Sequence, residues 1–280
     1  MSSLQAEQII TRLKHLPALP TVVAELLASF GNDEVDIGLL AEQISHDQAL
    51  TARLLRVANS SFYGLQSRIS TINEAVVVLG FRAVRSMVLA VGVSGVFRAD
   101  HCPGFDPQAY IRHCVGVGLV ARALAQMTGR NPELAFTGGI LHDIGELVLA
   151  TCFPEQYAKA LAYRTQHDCS LIEAERDIIG LDHGMVGGLL ADTWRFPASL
   201  RSAVAEHHSP SAATAGSLAD LTHLADCIAH ALGLAKTDSE MVMPVDPTAW
   251  QRLGLDSEKI APILPQVMKE MDETCLAFSA

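Results

Sequence analysis

Apolar residues recur at intervals of three and four along nearly the whole chain, and prolines and glycines punctuate them where polar alternation would mark strands. That periodicity admits helices and little else. Ile9, Ile10 and Leu13 mark one stripe and Val22, Val23, Leu26 and Leu27 the next, with LPALP between them. Pro17 ends the first helix, and Pro20 suits the first turn of the second. Asp36 is placed to cap a helix that follows it, and the apolar run from Leu50 stops at Asn59, Ser60 and Gly64. Helices are expected at 72–79 and 84–97 around Gly80, then at 107–128, 132–151, 154–167, 170–180, 182–194, 197–207 and 217–232. One or two more are expected between Pro244 and Ala280. Val76–Val77–Val78 is a β-branched run too short to argue for a sheet, so the expected class is all-α, a helical bundle. The turn HCPGFDP divides it into a helical N-terminal half (1–104) and a second half (105–236), with a C-terminal helical extension over 237–280.

Composition then narrows the function classes. Hydrophobic residues make up 49% of the chain, which supplies a full core and excludes a disordered one. The apolar stretch Met87–Phe97 is about half of the roughly 20 residues a membrane span needs, so it reads as a buried helix and no membrane is expected as a partner. No basic segment followed by an apolar one opens the sequence, so no secretory signal is expected. Six scattered cysteines without a CxxC pair argue against a disulfide framework or a thiolate zinc site, and a reducing cytoplasm fits best. The net charge of −11 argues against bulk binding to DNA or anionic lipid. Within it, six arginines and a single acid, Glu74, lie between Leu50 and Ala99, and Arg82 and Arg85 are candidates for binding an anion. Residues 36–59 also have a helix-turn-helix pattern, with Arg53 and Arg56 on its second helix. Leu50, Leu54, Leu55 and Val57 leave that helix too apolar for a reading head, and nucleic acid is not the expected partner.

The chemistry concentrates in the second half. Gly138-Gly139-Ile140-Leu141-His142-Asp143-Ile144-Gly145 sets a histidine and an aspartate inside an apolar helix, where a carboxylate beside an imidazole is costly unless paired or bound to metal. An isolated doublet would be an ion pair or a cap. Here His113 points into the core from the stripe Val117, Val120, Leu124 and Met127. His183 precedes Gly184, Gly187 and Gly188, His207 and His208 end a helix, and Asp226 follows. Five imidazoles and two carboxylates on successive helices suit one or two metal ions, and mixed nitrogen and oxygen donors without thiolate favour iron, manganese, zinc or cobalt. His223 and His230, three before and four after Asp226, are candidates for orienting it from behind.

The order His113, His142-Asp143, His183, His207-His208, Asp226 resembles the binuclear form of the HD superfamily of metal-dependent phosphohydrolases. The segments LPALPTVVAELL, ISHDQALTARLLRVANSSFYG and ISTINEAVVVLGFRAVRSMVLA are similar to the HDOD domain, a relative of the HD-GYP phosphodiesterases, over about residues 16–232. The resemblance implies an all-helical bacterial signalling module, with the seven residues above as ligands of one or two transition-metal ions. Its partner would be a signalling protein or a nucleotide or other phosphoester. In a hydrolase of this type Asp143 would bridge the ions as the central catalytic residue. Active HD enzymes typically place a lysine after the His-Asp-Ile-Gly stretch, whereas this chain has Glu146, a candidate for supporting the ligands but a poor phosphate clamp. His207-His208-Ser209-Pro210 also lacks a following GYP signature. The expectation is therefore an output module with a retained metal site and little or no catalysis, the alternative being a metal-dependent phosphohydrolase.

Overall fold

The computed structural model describes residues 6–28, 37–60, 63–65, 67–97, 99, 101–210, 216–237 and 240–278. Among them every regular element is helical. The expected Asp36 cap, and Arg98 of the arginine-rich stretch, lie outside these residues. The N-terminal half holds α1 (Ala6–Leu13), α2 (Thr21–Ala28), α3 (Ile37–His46), α4 (Gln48–Ala58), α5 (Ile72–Leu79) and α6 (Phe81–Ser94). Asp47 caps α4 by accepting from the Leu50 N–H, and Asn59 at its far end clamps the backbone of Ile69 with two hydrogen bonds. Expected to start at Val84, α6 starts at Phe81, and eleven of its fourteen residues are buried.

The second half is built around α7 (Pro107–Met127), which packs most extensively on α8 (Pro132–Leu141) and then on α14 (Leu218–Ala231). Between them run α9 (Ile144–Cys152), α10 (Pro154–His167), α11 (Leu171–Ile178), α12 (His183–Thr193) and α13 (Ala198–Glu206). A Cβ on Gly139 of α8 would fall 2.6 Å from the Gly118 backbone of α7, so a pair of glycines lets these helices touch and brings His113 and His142 together. The helix expected over 132–151 is broken at His142–Asp143. His142 Nδ1 bonds the Gly139 carbonyl, replacing a backbone partner, and Asp143 turns to open α9.

The C-terminal extension has more pieces than expected: α15 (Pro247–Leu253), α16 (Ser257–Ile260), a 3₁₀ turn over Ala261–Ile263, and α17 (Leu264–Phe278). Helix α17 packs against both α7 and α4 and so spans the two halves. The run Pro132–Cys152 is the one described stretch long and apolar enough to cross a membrane, and 83% of its most apolar window is buried inside the fold. It displaces Met87–Phe97 as the longest candidate, because the polar doublet interrupts it only at its centre.

Candidate metal centre

Four helix ends and two helix interiors deliver the seven expected donors to one buried region. His113 and Asp226 project from α7 and α14. His142 closes α8 and Asp143 opens α9. His183 is the first residue of α12, whose cap is Asp182, and His207 ends α13 with His208 next to it. A helix terminus changes direction within a residue or two, which is how neighbouring residues 100° apart in a helix come to face one ion.

The donor atoms form two groups that share one carboxylate. In the first, His113 Nε2 and His142 Nε2 lie 3.2 Å apart, and Asp143 Oδ2 lies 3.3 and 3.1 Å from them. Asp226 Oδ1 completes this group, 3.1 Å from His113 Nε2 and 3.6 Å from His142 Nε2. In the second group, Asp143 Oδ1 lies 3.4 Å from His183 Nε2 and 3.3 Å from His207 Nε2, and His183 Nε2 lies 2.7 Å from His208 Nε2. Asp143 thus gives one oxygen to each group.

Rear hydrogen bonds fix the rings. His142 Nδ1 bonds the Gly139 carbonyl and His207 Nδ1 the Val204 carbonyl, which directs both Nε2 atoms inward. His183 is held by Glu175, whose Oε2 lies 2.7 Å from Nδ1 and also accepts the His183 backbone N–H. Glu175 is fully buried and was not among the sequence candidates. Eight residues and a turn separate it from His183, so no helical periodicity pairs them, and only its place in the amphipathic stripe of α11 hints at burial.

Burial works against charge on these groups, yet mutual pairing wins for most. Although burial disfavours the charged ring, Asp143 and Asp226 push His142 up to about 10 and His113 up to about 9. Burial likewise opposes ionisation of Asp143 and Asp226, but the facing histidines hold both well below the usual carboxylate range. Glu175 raises His183 against its burial, while burial depresses His207 and His208.

Other candidates sit differently. His230 Nε2 lies 3.3 Å from Asp226 Oδ1, with Glu240 Oε1 3.5 Å from its other nitrogen. His223 turns away from Asp226: its Nδ1 bonds the His207 carbonyl and its Nε2 accepts the Asp246 N–H. It ties α13 to the C-terminal extension instead. Glu146 contributes to the wall of the cleft above the donors, where Tyr157 donates to its Oε2, and burial and the Asp143 charge raise it to about 7. Arg82 is exposed and Arg85 is buried over the Phe81 ring, and neither lines that cleft. The guanidinium that does is Arg164 of α10, for which the sequence holds no distinguishing signal.

The donor set fits bound metal. Asp143 Oδ1, Asp226 Oδ1 and His207 Nε2 are buried atoms without a hydrogen-bond partner, an expense that a bound cation removes. Donors about 2.0–2.2 Å from a shared ion stand roughly 3.0–3.6 Å from one another, and most separations given above fall in that interval.

The chain matches the HDOD domain family over residues 16–210. An uncharacterized protein of Treponema pallidum (strain Nichols) is 27% identical over 208 residues, covering 73% of this chain, and the chain spans only 40% of that relative's length. Among solved structures, a candidate phosphohydrolase from Shewanella amazonensis SB2B is 30% identical, with a TM-score of 0.75 and 97% of this chain and 98% of that one covered. An HDOD domain protein of unknown function from Geobacter sulfurreducens shares the fold at a TM-score of 0.81 and 22% identity, over 99% of this chain and all of that one.

Proposed function

The chain belongs to the HDOD domain family, and from that premise we propose that its histidine–aspartate centre holds two transition-metal ions and acts on a phosphoester within a bacterial signalling protein. One observation carries the reading. A cleft of about 480 Å³ reaches the centre, and His113, Asp143, His183, His208 and Asp226 all form part of its wall. A metal kept only for stability would gain nothing from such access.

The nitrogen and oxygen donors suit iron, manganese or zinc, and a bound pair would supply Lewis-acid charge to a phosphoryl oxygen. The chain's own residues do the rest. Asp143 couples the two groups through its two oxygens, and Glu175 and the Gly139 and Val204 carbonyls hold the imidazoles in line. Arg164, in the cleft wall, adds positive charge on the side from which a phosphate would enter. The candidate phosphohydrolase of 30% identity, similar over nearly its whole length, lends weight to the reading.

Glu146 favours a second reading, an output module that binds a phosphoester and scarcely turns it over. Glu146 lines the cleft where a phosphate clamp would help and, raised to about 7, it offers a carboxyl that repels phosphate when ionised and never a positive charge. The experiment is metal analysis of the purified protein followed by a chromogenic phosphodiester and phosphomonoester assay of native chain and Glu146→Lys. Native turnover on the order of one per second or faster supports the hydrolase. Turnover gained only in the lysine variant supports the output module. Absence of metal after reconstitution with iron, manganese and zinc overturns both.

A further inference from the structure

The cleft over the centre has an uneven chemistry. Among its described lining residues Arg164 is the only lysine or arginine. Besides Asp143 and Asp226, which face the donor groups, Asp106, Glu146 and Glu240 add three more carboxylates to the wall. Asp106 is already engaged, accepting the Gln108 and Ala109 N–H groups at the start of α7. Glu240 faces His230. Most of the remaining surface is apolar: Phe105, Leu161, Leu171, Ile172, Met241 and Met243.

We propose that this cleft takes a monophosphate on a compact, uncharged and flat apolar body, and that it rejects ligands with a second phosphate. The inference rests on the phosphoester reading above and names its substrate class. Apart from the imidazoles at and beside the centre, Arg164 is the one basic side chain of the described wall, which matches a single phosphate. A second phosphate would be stripped of water against carboxylates and hydrocarbon, with no second guanidinium or ammonium in the described wall and with the Thr165 and Ser170 hydroxyls already donating to the Leu161 carbonyl and Glu173. The body of the ligand meets Phe105 and two methionines, an aromatic face and two adaptable thioethers that pack well on a flat ring. At about 480 Å³ the cavity lies in the lower part of the ~300–1,000 Å³ range of small-molecule sites, room for one ring system beside the phosphate.

Phosphonates test this without hydrolysis. Manganese-loaded protein, freed of excess metal and checked for metal content, is titrated calorimetrically with methylphosphonate, phenylphosphonate and 1,4-phenylenebisphosphonate. Phenylphosphonate is expected to bind about tenfold or more tighter than methylphosphonate, and the bisphosphonate at least tenfold more weakly than phenylphosphonate. Leu161→Gln, which adds no charge, should weaken phenylphosphonate severalfold more than it weakens methylphosphonate, and the retained methylphosphonate binding shows that the variant is folded. Equal affinity for the methyl and phenyl compounds, or tighter binding of the bisphosphonate, overturns the proposal while leaving the phosphoester reading intact. Failure of all three to bind metal-loaded protein overturns that reading, and the substrate class with it.

Discussion

Asp143 is the side chain on which both donor groups converge, and its replacement should be felt twice. Asp143→Asn keeps the shape but removes the charge shared between His113 and His142 on one side and His183 and His207 on the other. Bound metal measured by elemental analysis should fall to one ion or none, against the two proposed for the native chain. Glu175 acts one step further out. Glu175→Ala frees the His183 ring and leaves its Nδ1 unpartnered, while Glu175→Gln preserves a hydrogen bond. Affinity for an ion at the His183, His207 and His208 group should drop roughly 10- to 100-fold in the alanine variant, with a smaller loss in the glutamine variant. A competition titration with a chelator reads this directly, and equal affinities in all three proteins would remove Glu175 from the site. Acid should act in the same direction. His113 and His142 rise to about 9 and 10, so near neutrality the metal-free centre binds protons that a metal must expel. Metal uptake should therefore release protons, seen as a buffer-dependent calorimetric heat, and lowering the pH should weaken retention. The residue types of the centre were legible in the sequence because histidine and aspartate are conspicuous among apolar neighbours. Glu175 and Arg164 were not, since each looks like an ordinary helix-surface charge until the fold places it.

At the scale of elements, helix positions followed from periodicity and caps to within a few residues, while the break between α8 and α9 did not. The segment from Pro132 to Cys152 is apolar throughout apart from a few residues, and apolar pattern alone cannot tell one buried helix from two joined by a tight turn. What decides it is the need for His142 Nε2 and Asp143 Oδ2 to come within 3.1 Å of each other, a demand set by residues on other helices. The C-terminal extension was under-read for the opposite reason, because short helices carry too little periodicity to count. Gly145 shows how tightly the break is packed. A Cβ there would lie 1.9 Å from the His183 carbonyl oxygen, so α9 and the start of α12 meet backbone to backbone. Gly145→Ala is expected to cost about 1–3 kcal/mol or more, as overpacking does when the obstacle is main chain. It should also displace His183, so metal affinity ought to fall along with the denaturant midpoint. A variant with native stability and native metal content would show that the two helices separate at little expense.

The halves of the molecule are joined by more than the short turn at 101–107. Helix α6 packs on α8, Ser86 donates to the Glu133 carbonyl, and Tyr63 and Arg122 both bond the Glu133 carboxylate. From the other end α17 spans α7 and α4, with Arg112 and Asp272 paired across it. The core is accordingly one connected cluster running from Ile9 to Phe278. Such continuity leaves neither half with a core of its own to fall back on, and unfolding should be cooperative. The metal-free chain is therefore expected to melt in a single transition, even though every metal donor lies in the second half. Metal loading then becomes a probe of that coupling. Ions at about 100 times their dissociation constant add roughly 2.7 kcal/mol per site, which for a chain of this size raises the melting temperature by about 5–10 °C for two sites. Because the N-terminal half holds no ligand, a chain of two independent domains would instead show one transition that moves with metal and another that stays in place. A differential scanning calorimetry pair, metal-free and metal-loaded, distinguishes the cases: one peak that shifts as a whole means that α6 and α17 transmit the stabilisation, and a peak that splits means that they do not.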